Sequence, residues 1–256
     1  MKKIIATIKV EICLLVILVL IAVSGKAQVD SAQLQLNSIF QYIDKSQIPT
    51  GFLEEYGAEF ANLKTYNGIL TDSNTVNPMA WHYIYAGVYS AKIYGTNTLP
   101  APEANYTVFN SEALLNINVN PVSMLALNYS TLKPTAMVDN LFTMSNNQLY
   151  DVAGRTQSPY QLNTAFAASP FYETDDDGIL NLIFKQNLFI NNTGKQVSTI
   201  KVDFNNGNGF ITAAWNSIVS ASYTTTGSKQ LIIKLSFTDG SFLQCYSKVN
   251  IIIATG

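Results

Sequence analysis

The sequence has few of the residues from which catalytic and covalent sites are usually built. Its 256 residues include one histidine, His82, and two cysteines, Cys13 and Cys245. A histidine-based metal site needs several ligands, and a catalytic triad needs a nucleophile and an orienting group beside its base. No Gly-x-Ser-x-Gly motif is present. We therefore interpret His82 as a residue on a helix face, and we expect a protein without catalytic activity.

Charged residues are also scarce. They make up 12% of the chain, and the formal net charge is −2 at pH 7. The sequence has no run of lysine and arginine residues, whereas nucleic-acid-binding surfaces require concentrated positive charge. We therefore expect no nucleic-acid partner. The many aromatic, Asn, Thr and Ser residues are typical instead of an extracellular protein rich in β-strands and turns.

The N-terminal 27 residues have the order of a secretory signal peptide. Three lysines among the first nine residues precede an uncharged apolar run, Ile12–Val23, and small residues follow at Ser24–Ala27. We expect cleavage before Gln28 and a protein that is secreted or located at the cell surface. An alternative is that the segment is retained as an anchor, because Glu11 lies at the edge of the apolar run.

The predicted signal peptide bears on two further expectations, a membrane span and a disulfide. The apolar run has about 12 residues, whereas a membrane-spanning helix needs ~20, so we expect no transmembrane span in the mature chain. The remaining cysteine is Cys245, which excludes an intramolecular disulfide. Because its neighbours are apolar and aromatic, we expect the Cys245 thiol to be buried rather than reactive.

Helices are predicted in the N-terminal region. In residues 31–46 an apolar stripe recurs at helical spacing. Its members are Leu36, Ile39, Phe40 and Ile43. A second helix is predicted to begin at Asn77-Pro78, with Asn77 as its N-cap and Pro78 in its first turn. From there a stripe continues through about Ile93, with Trp81, Ile84, Tyr85 and Val88 on one face.

From about residue 96 the pattern changes to short apolar runs bounded by Asn, Pro or Gly, which favours strands. These runs are Ala113–Val119, Met124–Leu132, Leu141–Met144 and Gln148–Val152, and the later stretch Ala165–Phe171 is small and apolar. The C-terminal third is more regular, and it begins with two predicted strand runs, Ile179–Phe184 and Leu188–Ile190. Leu231, Ile233 and Leu235 alternate with polar or smaller residues, and Asp239-Gly240 predicts a hairpin turn before the return strand Phe242–Ile253.

Several motifs in this third resemble the PKD family of extracellular immunoglobulin-like β-sandwiches. They are Val202–Gly209 (VDFNNGNG), Ser222–Lys229 (SYTTTGSK), the alternating strand Leu231–Phe237 and the Thr238-Asp239-Gly240 turn. Asn205 and Asn206 stand where the family usually has Gly-Asp. The resemblance covers about residues 175–253. It implies an antiparallel β-sandwich of the kind that serves as a spacer or binding module in secreted proteins.

The densest acidic cluster is Glu173–Gly178, in which Asp175, Asp176 and Asp177 are candidate calcium ligands. Calcium takes six to eight oxygen ligands, and acidic loops that end in glycine can supply several. An EF-hand is excluded, because the position that needs glutamate holds Phe184. The alternative is a solvated turn before a strand. We predict no other cofactor.

A tyrosine group in the second predicted helix allows two interpretations. Tyr83, Tyr85, Tyr89 and Tyr94 could form a platform that stacks on sugar rings, or they could pack in the core. Both interpretations stay open at this stage.

The sequence therefore predicts a mainly β protein with an α-helical N-terminal region and an immunoglobulin/PKD-like antiparallel β-sandwich at the C-terminus. We divide it into a signal peptide (1–27), a helical region (28–95), a β-rich linking region (96–170) and a PKD-like sandwich (171–256). The expected function is a non-catalytic module for spacing, adhesion or glycan binding, with an extracellular glycan or surface protein as partner. The alternative is an accessory N-terminal region of a longer secreted hydrolase whose catalytic domain lies beyond Gly256.

Overall fold

The structure is a computed structural model that describes residues 32–57, 74–96, 98–115 and 118–253. The predicted signal peptide, residues 1–27, lies outside the described residues, as does most of the irregular stretch 52–76. Within the described ranges, no helix has the length and apolar character needed to cross a membrane. The described chain is mainly β, as the sequence predicts.

The secondary structure consists of short helices followed by many strands. The helices are α1 (32–39), α2 (Pro78–Ser90) and α3 (Pro102–Leu115), with 3₁₀ turns at Lys45–Gln47 and Glu54–Tyr56. The strands are β1 (Asn120–Leu132), β2 (Phe142–Ser145), β3 (Gln148–Asp151), β4 (Tyr160–Pro170), β5 (Thr174–Asp175), β6 (Ile179–Asn191), β7 (Val197–Asp203), β8 (Phe210–Ala213), β9 (Ile218–Ser222), β10 (Gly227–Phe237) and β11 (Phe242–Ile251).

The chain divides into two compact units. The smaller combines Met1–Asp44 with Pro134–Pro159, and the larger combines Lys45–Lys133 with Tyr160–Gly256. In sequence, the second segment of the smaller unit lies between β1 and β4.

The smaller unit contains α1 and the β2–β3 hairpin. The rings of Tyr42 and Tyr150 stack with centroids 4.8 Å apart, and Arg155 forms an ion pair with Asp151. Helix α1 ends at residue 39 rather than near residue 46 as predicted. Of the predicted apolar stripe, Phe40 and Ile43 are buried beyond the helix end.

The larger unit contains a four-stranded sheet in the order β4-β1-β6-β9. Strand β1 pairs antiparallel with β4 and parallel with β6, and β6 pairs antiparallel with β9. The sheet therefore joins strands from both sides of residue 170. Strand β6 is also continuous where the sequence predicts two separate runs, Ile179–Phe184 and Leu188–Ile190.

A five-stranded sheet in the order β5-β11-β10-β7-β8 completes the larger unit. Alternation in β10 is confirmed, because Leu231, Ile233 and Leu235 are fully buried. Alternate side chains of a strand point to opposite faces, so the intervening residues of β10 lie on the outer face. Both sheets and α2 contribute to one hydrophobic core.

Helix α2 forms as the sequence predicts. The Asn77 side chain accepts a hydrogen bond from the backbone NH of Ala80 at 2.8 Å, and Pro78 occupies the first turn. Trp81, Ile84, Tyr85 and Val88 are buried. The helix ends at Ser90, three residues earlier than expected.

Helix α3 occupies a region for which the sequence did not predict a helix. The sequence predicts a turn-rich stretch followed by a strand, Ala113–Val119, but residues Pro102–Leu115 are helical. Pro102 is compatible with a helix start, because it lacks only an NH group that the first turn leaves unpaired. Phe109 and Ala113, four residues apart, are the buried residues of this helix. Two buried positions are too few to produce a helical periodicity of apolar residues in the sequence, so the helix was not predicted.

Candidate functional site

The predicted acidic cluster lies where the chain runs beside the last strand. The backbone NH of Asn250 donates to the carbonyl of Glu173 at 2.8 Å, and the NH of Ile252 donates to the carbonyl of Asp175 at 2.7 Å. These bonds make β5 a short parallel neighbour of β11. The backbone of the loop is thus fixed by the sheet, and its carboxylates are held close together.

The carboxylates of Asp175 and Asp177 repel each other in this loop. The Asp175 Oδ1 atom is buried and has no hydrogen-bond partner among the described residues. Burial raises the pKa of Asp175, and the nearby Asp177 carboxylate raises it further. Asp177 Oδ1 accepts a hydrogen bond from the NH of Ile179 at 2.8 Å. Burial and the neighbouring Asp177 carboxylate therefore both disfavour the charged form of Asp175 in the folded protein.

The loop lines a cavity of about 340 Å³. Its walls are Asn118, Val119, Asn120, Tyr172, Thr174, Asp175, Asp176, Asp177 and Ile179. Within the described part of the chain, no three His, Cys, Asp or Glu residues converge in a metal-binding group. A calcium ion here would need the Asp175 and Asp177 carboxylates together with amide or carbonyl oxygens. The calcium site stays a prediction.

A second site lies at an irregularity between β1 and β6. Val122 is paired with Phe184, whereas Met124 is paired with Phe189, so the register shifts between them. Ser123, the one residue between these paired positions on β1, therefore faces residues 185–188 of β6. These residues form a bulge in the strand. The Ser123 hydroxyl donates to the carbonyl of Leu188 at 3.2 Å. Bulges of this kind redirect side chains, and they are frequent beside functional sites.

The bulge places polar side chains beside Glu112 of α3. The Lys185 Nζ atom lies 3.3 Å from Glu112 Oε2, and Asn187 Nδ2 donates to Glu112 Oε1 at 2.7 Å. The hydrogen bond from Asn187 and the Lys185 ammonium both lower the pKa of Glu112. Glu112 is therefore a carboxylate at neutral pH, and it holds the two bulge side chains in place.

Asn216 completes this site from the turn between β8 and β9. Its φ of +60° lies in the left-handed region, which asparagine tolerates better than most residues. The NH of Asn216 donates to the carbonyl of Phe184 at 2.9 Å, and its Oδ1 accepts from the NH of Gln186 at 3.4 Å. The turn is thereby tied directly to the bulge.

Together these residues form what we call the polar pocket, an open cavity of about 490 Å³. It is lined by Glu112, Lys185, Gln186, Asn187 and Asn216. Three of the five are amides, each of which both donates and accepts hydrogen bonds. The pocket therefore presents both donors and acceptors, and the ion pair between Lys185 and Glu112 keeps it close to electroneutral.

Sequence reasoning did not find the polar pocket. Its residues come from α3, β6 and the β8–β9 turn, which are far apart in the chain. The one available signal was the polar interruption at 185–187 between two apolar runs. Such an interruption also fits an ordinary turn, so the signal alone is not specific.

The tyrosine group does not form a common platform. Tyr85 is 0% exposed, and its hydroxyl donates to the carbonyl of Pro100 at 2.5 Å. Burial raises the pKa of Tyr85 to about 12. Tyr83 is 51% exposed and lies on the opposite side of α2, because residues two apart in a helix do not share a face. For Tyr85 the core-packing interpretation is therefore the right one.

His82 and Cys245 lie as the sequence predicts. His82 is half-buried on α2, where its ring has edge contacts with Tyr83 and Tyr106 at centroid distances of 6.3 and 6.5 Å. Cys245 is buried in β11, and burial raises its pKa to about 12. Its thiol is therefore protonated at neutral pH and behaves as a small apolar side chain.

Neither known protein families nor curated proteins match this chain in sequence. Roles for its residues therefore rest on the geometry described above.

Proposed function

We propose that this chain is a non-catalytic, secreted or cell-surface module that binds a glycan in the polar pocket. The observation that carries the proposal is the bulge in β6, which presents Lys185, Gln186 and Asn187 together beside Glu112. Sugar hydroxyls both donate and accept hydrogen bonds, so they are satisfied best by amides and by paired charges. The signal-peptide pattern of residues 1–27 supports export.

The order of the strands supports a PKD-like sandwich as the scaffold. In an immunoglobulin-type domain, strands C, F and G form one sheet, and B and E belong to the other. Here β7, β10 and β11 are neighbours with β10 in the middle, and β6 pairs with β9. We propose that these strands correspond to C, F, G, B and E. The β1–β4 pair then extends the B–E sheet beyond the usual domain.

This scaffold leaves the pocket rigid before a ligand arrives. Glu112 is fixed by Lys185 and Asn187, and Asn216 is fixed by the backbone of β6. Polar groups that are already oriented lose little conformational freedom on binding, which favours affinity. We propose binding by hydrogen bonds alone, without a covalent step.

A glycan array probed with residues 28–256 tests the proposal. We expect a retained neutral glycan, whose affinity is then measured by calorimetry for Asn187→Ala and Gln186→Ala. Each substitution should weaken binding at least tenfold. The matched control is Gln161→Ala, an exposed glutamine on β4, which should stay within twofold of the unmodified protein.

Two results would contradict the proposal. One is an array on which no glycan is retained. The other is a retained glycan whose affinity is equal in Gln186→Ala and Gln161→Ala. Hydrolysis of the retained glycan would show that the non-catalytic assignment is wrong.

A further inference from the structure

The outer face of the five-stranded sheet carries lysines in an otherwise acidic chain. We call this surface the lysine face. We define it by Lys201 and Asp203 of β7, Thr212 of β8, Lys234 of β10, and Phe242, Gln244 and Tyr246 of β11. They alternate with buried residues such as Val202 and Ile233, which point into the core.

Two of these lysines are direct cross-strand neighbours. Lys201 of β7 is the register partner of Lys234 of β10. Like charges directly opposite each other destabilise a sheet. Neither ammonium forms an ion pair with any described residue. The one carboxylate of the lysine face, Asp203, accepts a hydrogen bond from the NH of Asn205 at 2.8 Å.

The lysine pair lies in a row of polar residues that crosses four strands. Register places Gln244 beside Lys234, and Thr212 beside Lys201. Strands lie about 4.8 Å apart, so the row is about 14 Å long. A row of this length fits an extended polymer better than a single small anion.

Aromatic residues flank the row on β11. The Lys234 Nζ atom lies 3.8 Å from the centroid of the Phe242 ring, which is 55% exposed. This cation–π contact restricts the position of the ammonium. Beside it, Gln244 Nε2 donates to the Tyr246 hydroxyl at 3.1 Å. The cations are thus surrounded by amide, hydroxyl and ring groups.

We propose that the lysine face binds a carboxylated polysaccharide, that is, a polymer of uronic acid residues. Its carboxylates would neutralise Lys201 and Lys234 together, and its hydroxyls would bond to Gln244 and Thr212. A uronate polymer carries both carboxylates and hydroxyl groups, which match the central lysine pair and the polar residues at each end of the row. This inference rests on the proposed glycan-binding role, but it names a ligand class and a surface that shares no residue with the polar pocket.

The experiment compares polygalacturonate with its methyl-esterified form, because the two share a backbone and differ in charge. Binding of residues 28–256 is measured at low and at physiological salt. We expect at least tenfold tighter binding of polygalacturonate, and we expect added salt to weaken it. The double substitution Lys201→Gln/Lys234→Gln should abolish at least nine-tenths of the affinity.

The matched control is Lys45→Gln/Lys133→Gln, which removes the same charge from positions outside the lysine face. It should bind within twofold of the unmodified protein. Asn187→Ala should also bind polygalacturonate normally, which separates this proposal from that of the polar pocket. Thermal melts of both double variants confirm folding.

Several results would overturn the assignment. They are no binding of polygalacturonate, equal binding of the methyl ester, and an equal loss in both double variants. Tighter binding of duplex DNA than of polygalacturonate would also overturn it, because the surface would then recognise phosphate rather than uronate.

Discussion

The Tyr223 hydroxyl donates a hydrogen bond to the carbonyl oxygen of Phe204, with 2.9 Å between the two oxygens. The bond joins the two segments on which the PKD resemblance rests, VDFNNGNG and SYTTTG. Burial raises the pKa of Tyr223 to about 12, and the Asp175 and Asp203 carboxylates contribute to this shift. The hydroxyl is therefore a permanent donor at physiological pH, and it holds the turn after β7 against the end of β9.

Tyr223→Phe removes the hydroxyl, so the carbonyl of Phe204 loses this hydrogen bond. We expect the free energy of unfolding to fall by about 1 kcal/mol, the usual net value of a hydrogen bond. The measurement is urea denaturation. Tyr246→Phe is the control, since its hydroxyl accepts a hydrogen bond from the exposed Gln244 side chain. Equal losses in the two variants would show that the Tyr223 bond has no special structural role.

Asp175→Asn should stabilise the protein at pH 7 in the absence of calcium. The folded-state pKa of Asp175 is raised above 3.8. Above pH 3.8 the folded state therefore binds more protons at this group than the unfolded state, and its stability falls as pH rises through the folded pKa. Asparagine does not ionise, so the Asp175→Asn variant does not lose stability in this way as the pH rises. Thermal melts from pH 4 to pH 7 should show the gain growing with pH, whereas the exposed Asp176→Asn should show a smaller one.

The calcium hypothesis makes a separate prediction for the same variants. A calcium ion between Asp175 and Asp177 would stabilise the two carboxylates that otherwise repel each other. Calcium at millimolar concentration, added at pH 7, should then raise the melting temperature of the unmodified protein and leave that of Asp175→Asn unchanged. If calcium has no effect on the unmodified protein, the acidic cluster is a solvated turn.

Gly51→Ala should destabilise the larger unit more than Gly194→Ala does. Both glycines have φ near +70°, so alanine is strained at both, at roughly 1 kcal/mol. A Cβ at position 51 would also lie 2.7 Å from the carbonyl oxygen of Tyr94, whereas position 194 has no atom within 4 Å. We expect an additional loss of at least about 1 kcal/mol for Gly51→Ala. Equal losses in chemical denaturation would mean that the chain near Tyr94 moves freely.

Asn77→Ala should weaken α2 by about 1 kcal/mol, because the side chain caps the helix through the NH of Ala80. Helix α2 packs its aromatic face into the shared core, so the loss should appear in global unfolding. Asn110→Ala, on the exposed side of α3, is the control. A loss no larger than that of the control would show that the cap is not needed.

The sequence predicted those elements whose residues follow one clear physical rule. Asn77-Pro78 and the stripe from Trp81 to Val88 identify α2, since a cap, a proline and a regular spacing agree. Strict alternation around Ile233 identifies β10 and its buried face. Helix α3 was missed because only Phe109 and Ala113 are buried in it, and two positions do not establish a period.

The polar pocket depends on relationships that sequence patterns do not record. A bulge is a mismatch between two strands, and it becomes visible only when Val122 and Phe184 are seen to be paired. Glu112 reaches Lys185 only because α3 lies beside β6. The acidic cluster, by contrast, is local in sequence, so its residues could be named in advance.

The most direct test of the glycan-binding function is a titration of the retained glycan into isotope-labelled protein, followed by nuclear magnetic resonance. We predict that the largest shift changes occur at the side-chain amides of Gln186, Asn187 and Asn216, with small changes on β4. Large changes confined to residues outside the polar pocket would contradict the account, because the glycan would then bind at a different surface.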